Sequence, residues 1–189
     1  SLMSIYINID IRDLEAVQLL LGLGVNVSTT FLTAEPSFIK DVSTNALNPI
    51  LSSVALQAVF VGDALLVTLS SFILDMNVGK LTLEFSASVS VTSVKPVSFS
   101  LQGDRKENST TVVNLGNGGA VESIANGFKI IIALSTAELN AIKAFRKLAT
   151  STTDTFITMQ ADAALDLFGR SIVPVTPLNI KQVKKYVND

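Results

Sequence analysis

Between Leu69 and Leu134 the chain alternates apolar and polar residues with the period of a β-strand. Lys80-Leu81-Thr82-Leu83-Glu84-Phe85-Ser86 puts Leu81, Leu83 and Phe85 on one face and Lys80, Thr82 and Glu84 on the other. Phe72-Ile73-Leu74-Asp75-Met76 precedes it, and Asn77-Val78-Gly79 supplies the residues of a hairpin turn. Further short strands are expected at Val89 and Val91, at Val97-Ser98-Phe99-Ser100-Leu101, at Thr111-Val112-Val113-Asn114-Leu115 and at Phe128-Lys129-Ile130-Ile131-Ile132-Ala133-Leu134. Pro96 has no N–H for a ladder, so the chain turns or runs along an edge there. Gly116-Asn117-Gly118-Gly119 reads as a turn.

One helix interrupts the strands. Ser135-Thr136-Ala137-Glu138 has the form of a capping box, and Leu139, Ile142, Phe145 and Leu148 follow at helical spacing. Thr155-Phe156-Ile157-Thr158-Met159 is then a strand, Asp166-Leu167-Phe168-Gly169 a turn and Ser171-Ile172-Val173-Pro174-Val175 a last strand. About seven short strands and one helix predict a mainly β fold, a β-sandwich of immunoglobulin-like or cadherin-like type.

The same pattern occurs twice. Ile5-Tyr6-Ile7-Asn8-Ile9 lies over Ile130-Ile131-Ile132-Ala133-Leu134 and continues without a gap: Leu14 over Leu139, Leu23 over Leu148, Thr30-Phe31-Leu32-Thr33 over Thr155-Phe156-Ile157-Thr158, Asp41 over Asp166, Pro49 over Pro174. About ten identities fall in about forty-six columns. Asp10 and Asp13 take the places of Ser135 and Glu138 at the helix start. Gln57 meets Gln182, and with one inserted residue Phe60-Val61-Gly62-Asp63 meets Tyr186-Val187-Asn188-Asp189. The expected organisation is therefore a window on a tandem array. Residues 1–57 form the C-terminal half of one sandwich repeat, 58–183 one complete repeat, and 184–189 the start of the next. The half-repeat leaves strand edges and an apolar face to be covered, by the same chain or by an identical one.

These residues resemble a known family. Ser71-Phe72-Ile73-Leu74-Asp75-Met76-Asn77, Leu81-Thr82-Leu83-Glu84-Phe85-Ser86, Leu134-Ser135-Thr136-Ala137-Glu138-Leu139-Asn140-Ala141-Ile142-Lys143 and the run from Thr155 to Asp166-Leu167-Phe168-Gly169 are similar to the bacterial-Ig-like repeat of giant secreted and cell-surface proteins. That group includes the flagellar-system-associated repeat and its relatives in algae and other protists. Arg170 departs from the family's turn, which has Asn after Gly, and the first copy has Ser43-Thr44-Asn45 without Gly. The resemblance implies an extracellular structural or adhesive array, such as the axis or wall of a mastigoneme-like hair on a flagellum or cilium. It carries no catalytic residues.

Composition narrows the chemistry. The 189 residues contain no His and no Cys, which removes imidazole bases, thiol nucleophiles, disulfides and the metal sites built on those ligands. Lys+Arg 14 against Asp+Glu 16 gives a net charge of −2, no footprint for nucleic acid or acidic lipid. Apolar residues make up 48% and charged residues 16%, enough to build a sizeable core. The N-terminus has neither the basic start nor the cleavage site of a signal peptide. The apolar stretch 54–74 contains Gln57, Gly62 and Asp63 and is expected to be a linker and a buried strand, not a membrane span.

Lys129 and Lys143 lie in no nucleophile motif, and Glu84, Glu122, Glu138, Asp162 and Asp166 each fit a strand surface, cap or turn. No enzyme and no obligatory cofactor is expected. Asp75 with Asn77, and Asp162 with Asp166, supply oxygens for calcium but lack the full acidic complement of a calcium loop. Asn26-Val27-Ser28 and Asn108-Ser109-Thr110 are acceptor sequences for N-linked glycans at Asn26 and Asn108. The functional expectation is a non-enzymatic structural module that contacts neighbouring repeats. The alternative is an adhesin-type module that binds a glycan or protein through loops such as 103–108.

Overall fold

The computed structural model describes residues 4–20, 22–62, 64–116 and 118–189. The chain divides into two compact units, residues 1–64 and 65–189.

In the first unit, helix α1 (Ile11–Leu19) starts at Asp10, whose carboxylate accepts the Arg12 N–H at 3.0 Å. Strand β1 (Phe31–Leu32) pairs antiparallel with β2 (Leu56–Gln57), and bridges join Ala34 to Ile50 and Lys40 to Ala46. Residues 5–9, expected as a strand, have no ladder partner among the described residues of this unit, and Ile5, Tyr6, Ile7 and Ile9 are exposed. A strand is defined by its neighbour, and the described residues of the first unit offer none at this edge.

The second unit is mainly β. Its strands are β3 (Leu69–Asp75), β4 (Lys80–Val89), β5 (Phe99–Gln102), β6 (Val112–Asn114), β7 (Ala120–Val121), β8 (Gly127–Ala133), β9 (Phe156–Met159), β10 (Lys181–Gln182) and β11 (Lys185–Val187). One sheet has the order β11-β3-β4-β8-β7 and the other β10-β9-β5-β6. All pairs are antiparallel except β11 with β3. Phe72, Leu74, Leu81, Leu83, Ile130 and Ile132 from the first sheet share one buried cluster with Phe99, Leu101 and Ile157 from the second. Two sheets enclosing one apolar core is the arrangement of a β-sandwich.

The alternation read along residues 80–86 is realised in β4. Leu81, Leu83 and Phe85 are buried, while Lys80 reaches Glu122 at 2.8 Å and Glu84 reaches Lys184 at 3.0 Å on the outer face. The β3–β4 turn closes as expected: Asp75 accepts the Val78 N–H at 3.1 Å and Gly79 takes φ +65°. Helix α2 (Thr136–Lys143) is capped by the expected Ser135–Glu138 box.

Several expectations are corrected. The helix ends at Ala144, so Phe145 and Leu148 lie beyond it; a turn with Ala149 at φ +54° follows, and Leu148 is buried there. Val89 closes the long strand β4 and Val91 opens a 3₁₀ turn, Val91–Ser93, so they form no separate strand. Ser171 and Val175 make isolated bridges to Leu165 and Met159, where a continuous strand was expected. Residues 185–187, within the segment 184–189 expected to open the next repeat, pair with the first strand of the second unit. β11 lies parallel to β3, Lys184 N–H donates to the Phe72 carbonyl at 2.9 Å, and Met76 N–H donates to that of Val187 at 2.9 Å. The second compact unit runs from residue 65 to residue 189. In the expected turn 116–119, Asn117 lies outside the described residues, as does Asp63 of the segment 60–63.

Candidate functional site

The carboxylates singled out in the sequence hold turns and strands. Asp166 is buried, and its Oδ1 accepts the N–H of Phe168 at 2.9 Å and of Arg170 at 2.8 Å. Its Oδ2 accepts Arg170 Nε at 2.6 Å. A buried carboxylate needs such partners, and here the chain's own guanidinium supplies the cation. Asp162, on the 3₁₀ turn Ala161–Ala163, accepts Lys95 Nζ at 3.0 Å and Ser98 Oγ at 3.1 Å. The Lys95 and Ser98 hydrogen bonds hold its carboxyl below the usual range. Asp75 organises the β3–β4 turn, where Asn77 is exposed. Among the described residues, no group of three or more acidic side chains is placed to hold a metal ion. The two pairs proposed for calcium thus occupy separate turns, and Asp162 and Asp166 carry their own cations.

Glu84 has its carboxyl held low by the Ser71 hydroxyl and by Lys184. Lys129 faces Glu84 across the β4–β8 ladder, and Lys143 pairs with Asp189 at 2.5 Å. Glu138 does more than a cap requires. Beside Ser135 N–H at 2.7 Å and Ser135 Oγ at 2.9 Å, its Oε1 accepts the Gly116 N–H at 2.6 Å and so ties the β6–β7 connection to α2. Sequence spacing displays the cap but not this second contact, because Gly116 is distant along the chain.

A shallow pocket of about 290 Å³ lies beside β11, lined by Met76, Ile142, Phe145, Leu148, Tyr186 and Asp189. The Tyr186 hydroxyl donates to the Ala149 carbonyl at 2.5 Å. Burial, with the charges of Asp154 and Asp189, pushes its ionisation upward, so the phenol stays neutral and serves as a tether.

Both glycan acceptors are exposed. Asn26 caps the 3₁₀ turn Val27–Thr29, with Oδ1 accepting Ser28 N–H at 2.9 Å, and Asn108 lies in the loop after β5. That loop is fastened: Gln102 Nε2 donates to the Lys106 carbonyl at 2.6 Å, and Arg105 reaches Gln182 Oε1 at 2.9 Å while stacking over Phe156.

The closest geometric agreement is between segments 125 positions apart. Asp41 accepts the N–H of Ser43 and of Asn45 and the Asn45 side-chain amide, each at 2.9 Å, just as Asp166 accepts from Phe168 and Arg170. The Asn45 side-chain and backbone bonds keep the Asp41 carboxyl below its usual range. Thr44 at φ +67° sits where Gly169 has φ +79°. Thr30 Oγ1 donates to the Asn26 carbonyl at 2.8 Å, and Thr155 Oγ1 to that of Ser151 at 2.6 Å. Gln57 Nε2 donates to the Val27 carbonyl at 3.2 Å, and Gln182 Nε2 to that of Thr152 at 2.8 Å. The register Phe31–Gln57 of β1–β2 has its counterpart in Phe156–Gln182 of β9–β10. Arg170 thus fills the role of Asn45.

Among the described residues, no helix is long and apolar enough to cross a membrane. Compared with family models, curated proteins and solved structures, the chain matches none.

Proposed function

We propose that this chain is part of a tandem array of Ig-like β-sandwich repeats in a long extracellular protein that builds or lines a surface filament or hair-like appendage. It acts as a structural module without enzymatic activity, and its partners are neighbouring repeats of the same or identical chains. The observation that carries this reading is the recurrence of the same side-chain hydrogen bonds at a spacing of 125 residues. A shared apolar pattern is common among β proteins, but an aspartate collecting the same two backbone amides and one side-chain donor in both copies is specific. The carboxylates and lysines weighed for catalysis are engaged in turns, caps and cross-strand pairs, which supports a scaffold. Immunogold labelling of intact cells with an antibody to this chain tests the proposal. Label spaced regularly along external filaments is expected, and label confined to the cell interior would refute it.

An adhesin-type module is the second reading, favoured by the fastened loop 103–108 with its exposed tip. A saturable signal on a glycan array, lost when 104–108 is replaced by glycine and serine, would move the assignment to adhesion.

A further inference from the structure

The first unit leaves exposed the residues whose counterparts in the second unit form the core. Ile7 is 63% exposed where Ile132 is 0%, and Leu23 is 41% where Leu148 is 1%. Phe31 is 51% exposed where Phe156 is 4%, and Leu32 is 56% where Ile157 is 0%. The second unit also shows what covers them. Ile132 is paired with Leu81 of β4, and Ile157 with Leu101 of β5, while β11 lies along β3. Strands β3, β4 and β5 all belong to the N-terminal half of that unit.

We propose that the open face of the first unit is a docking surface for one kind of occupant: a strand-rich half-sandwich patterned like residues 65–127. The inference rests on the array reading for the equivalence of the two units. The occupant lays one strand antiparallel to residues 4–8, as β4 lies on β8, and a second antiparallel to residues 31–34, as β5 lies on β9. A third runs parallel to residues 59–61, which correspond to β11 and of which Val59 and Val61 are exposed. Backbone pairing sets the register, and the apolar residues of the incoming strands fill the space in front of Phe31 and Leu32. This is the interface already formed inside the second unit, offered to a second half of the same design.

The test adds a second copy of residues 65–127 ahead of Met3 in the full chain, the position that residues 65–127 hold ahead of Phe128. Hydrogen exchange at Phe31, Thr33 and Glu35 is expected to slow at least about tenfold, toward the rates at Phe156, Thr158 and Gln160, whose parity faces β5. Because the chain contains no cysteine, register is read separately by cross-linking. Leu32→Cys combined with Leu101→Cys in the added copy is expected to oxidise to a disulfide, since facing residues in an antiparallel pair lie within bridging distance. Thr33→Cys with the same partner is expected not to. Unchanged exchange together with no register-specific disulfide overturns the proposal. So does an unmodified chain that already protects Phe31 and Thr33 as a dimer in light scattering, which would make a second whole copy the occupant. Surface labelling of filaments is independent of these outcomes: closure without filaments removes the array function alone, and filaments without closure remove the docking proposal alone.

Discussion

Replacing Glu138 by alanine deletes a carboxylate that is 1% exposed and, among the described residues, accepts from Gly116 N–H, Ser135 N–H and Ser135 Oγ. An orphaned donor costs about 1–3 kcal/mol, according to whether water can replace the lost acceptor. Gly116 is exposed, so its amide rehydrates and falls near about 1 kcal/mol. Ser135 is half-buried at the helix start and also loses its cap, placing it at about 1–3 kcal/mol. The expected loss is about 2–4 kcal/mol, which at a urea slope of about 2 kcal/mol per molar lowers the midpoint by about 1–2 M. Glu138→Gln keeps one acceptor but points an amide N–H₂ at a donor, so it is expected to lose about half as much. Tyrosine emission is a suitable probe, because of the two tyrosines Tyr6 is exposed and Tyr186 is tethered within the second unit. Asp13, the counterpart in α1, is exposed and outside the Asp10 cap bond, so Asp13→Ala should leave that transition unchanged. A Glu138→Ala midpoint within about 0.3 M of the parent would refute the reasoning, since it would mean that water serves these amides as well as the carboxylate does.

Leu101→Ala should cost about 2–5 kcal/mol by opening a cavity between the sheets, whereas Leu32→Ala, its target's exposed counterpart, should stay within about 0.5 kcal/mol; paired urea titrations decide. Gly103→Ala places a Cβ 2.1 Å from the Lys147 carbonyl oxygen and should lower stability by at least about 1–3 kcal/mol, while Gly127→Ala meets nothing within 4 Å and should be neutral or slightly stabilising in the same assay. Glu84 and Asp162 have lowered carboxyl ionisation in the folded chain, so their stabilisation is complete above the ordinary carboxylate range near about pH 4 and is lost as pH falls through the lowered folded values. The double variant Glu84→Gln, Asp162→Asn should therefore show a flatter acid limb in thermal melts between about pH 4.5 and pH 2 than the parent.

Where a residue's neighbours are close in sequence, the pattern of apolar positions was enough to place it. The β3–β4 hairpin follows from Leu81, Leu83 and Phe85 alternating with polar residues and from Gly79 in the turn. Helix α2 follows from the Ser135–Glu138 box. Where the partner is remote, the sequence was silent. Nothing in Lys185-Tyr186-Val187 announces a parallel partner more than a hundred residues earlier, and the similar segment 60–62 has no such partner among the described residues of its own unit. Phe145 and Leu148 continued a helical spacing although the helix had ended, because the burial of Leu148 is met by a turn at Ala149. For the acidic residues, composition allowed ion binding at Asp162 and Asp166, and only the placement of Lys95 and Arg170 shows how each charge is neutralised.

The parallel contact of β3 with β11 joins the first and last strands of the second unit. A pull entering ahead of Leu69 and leaving beyond Val187 acts at opposite ends of this ladder, so its hydrogen bonds resist sliding together and do not unzip one at a time. A fibre of such units would bear load through the backbone contact that also closes each bead. Force spectroscopy should register that as a high, brittle rupture, sharply reduced when Lys184→Pro removes the donor to the Phe72 carbonyl.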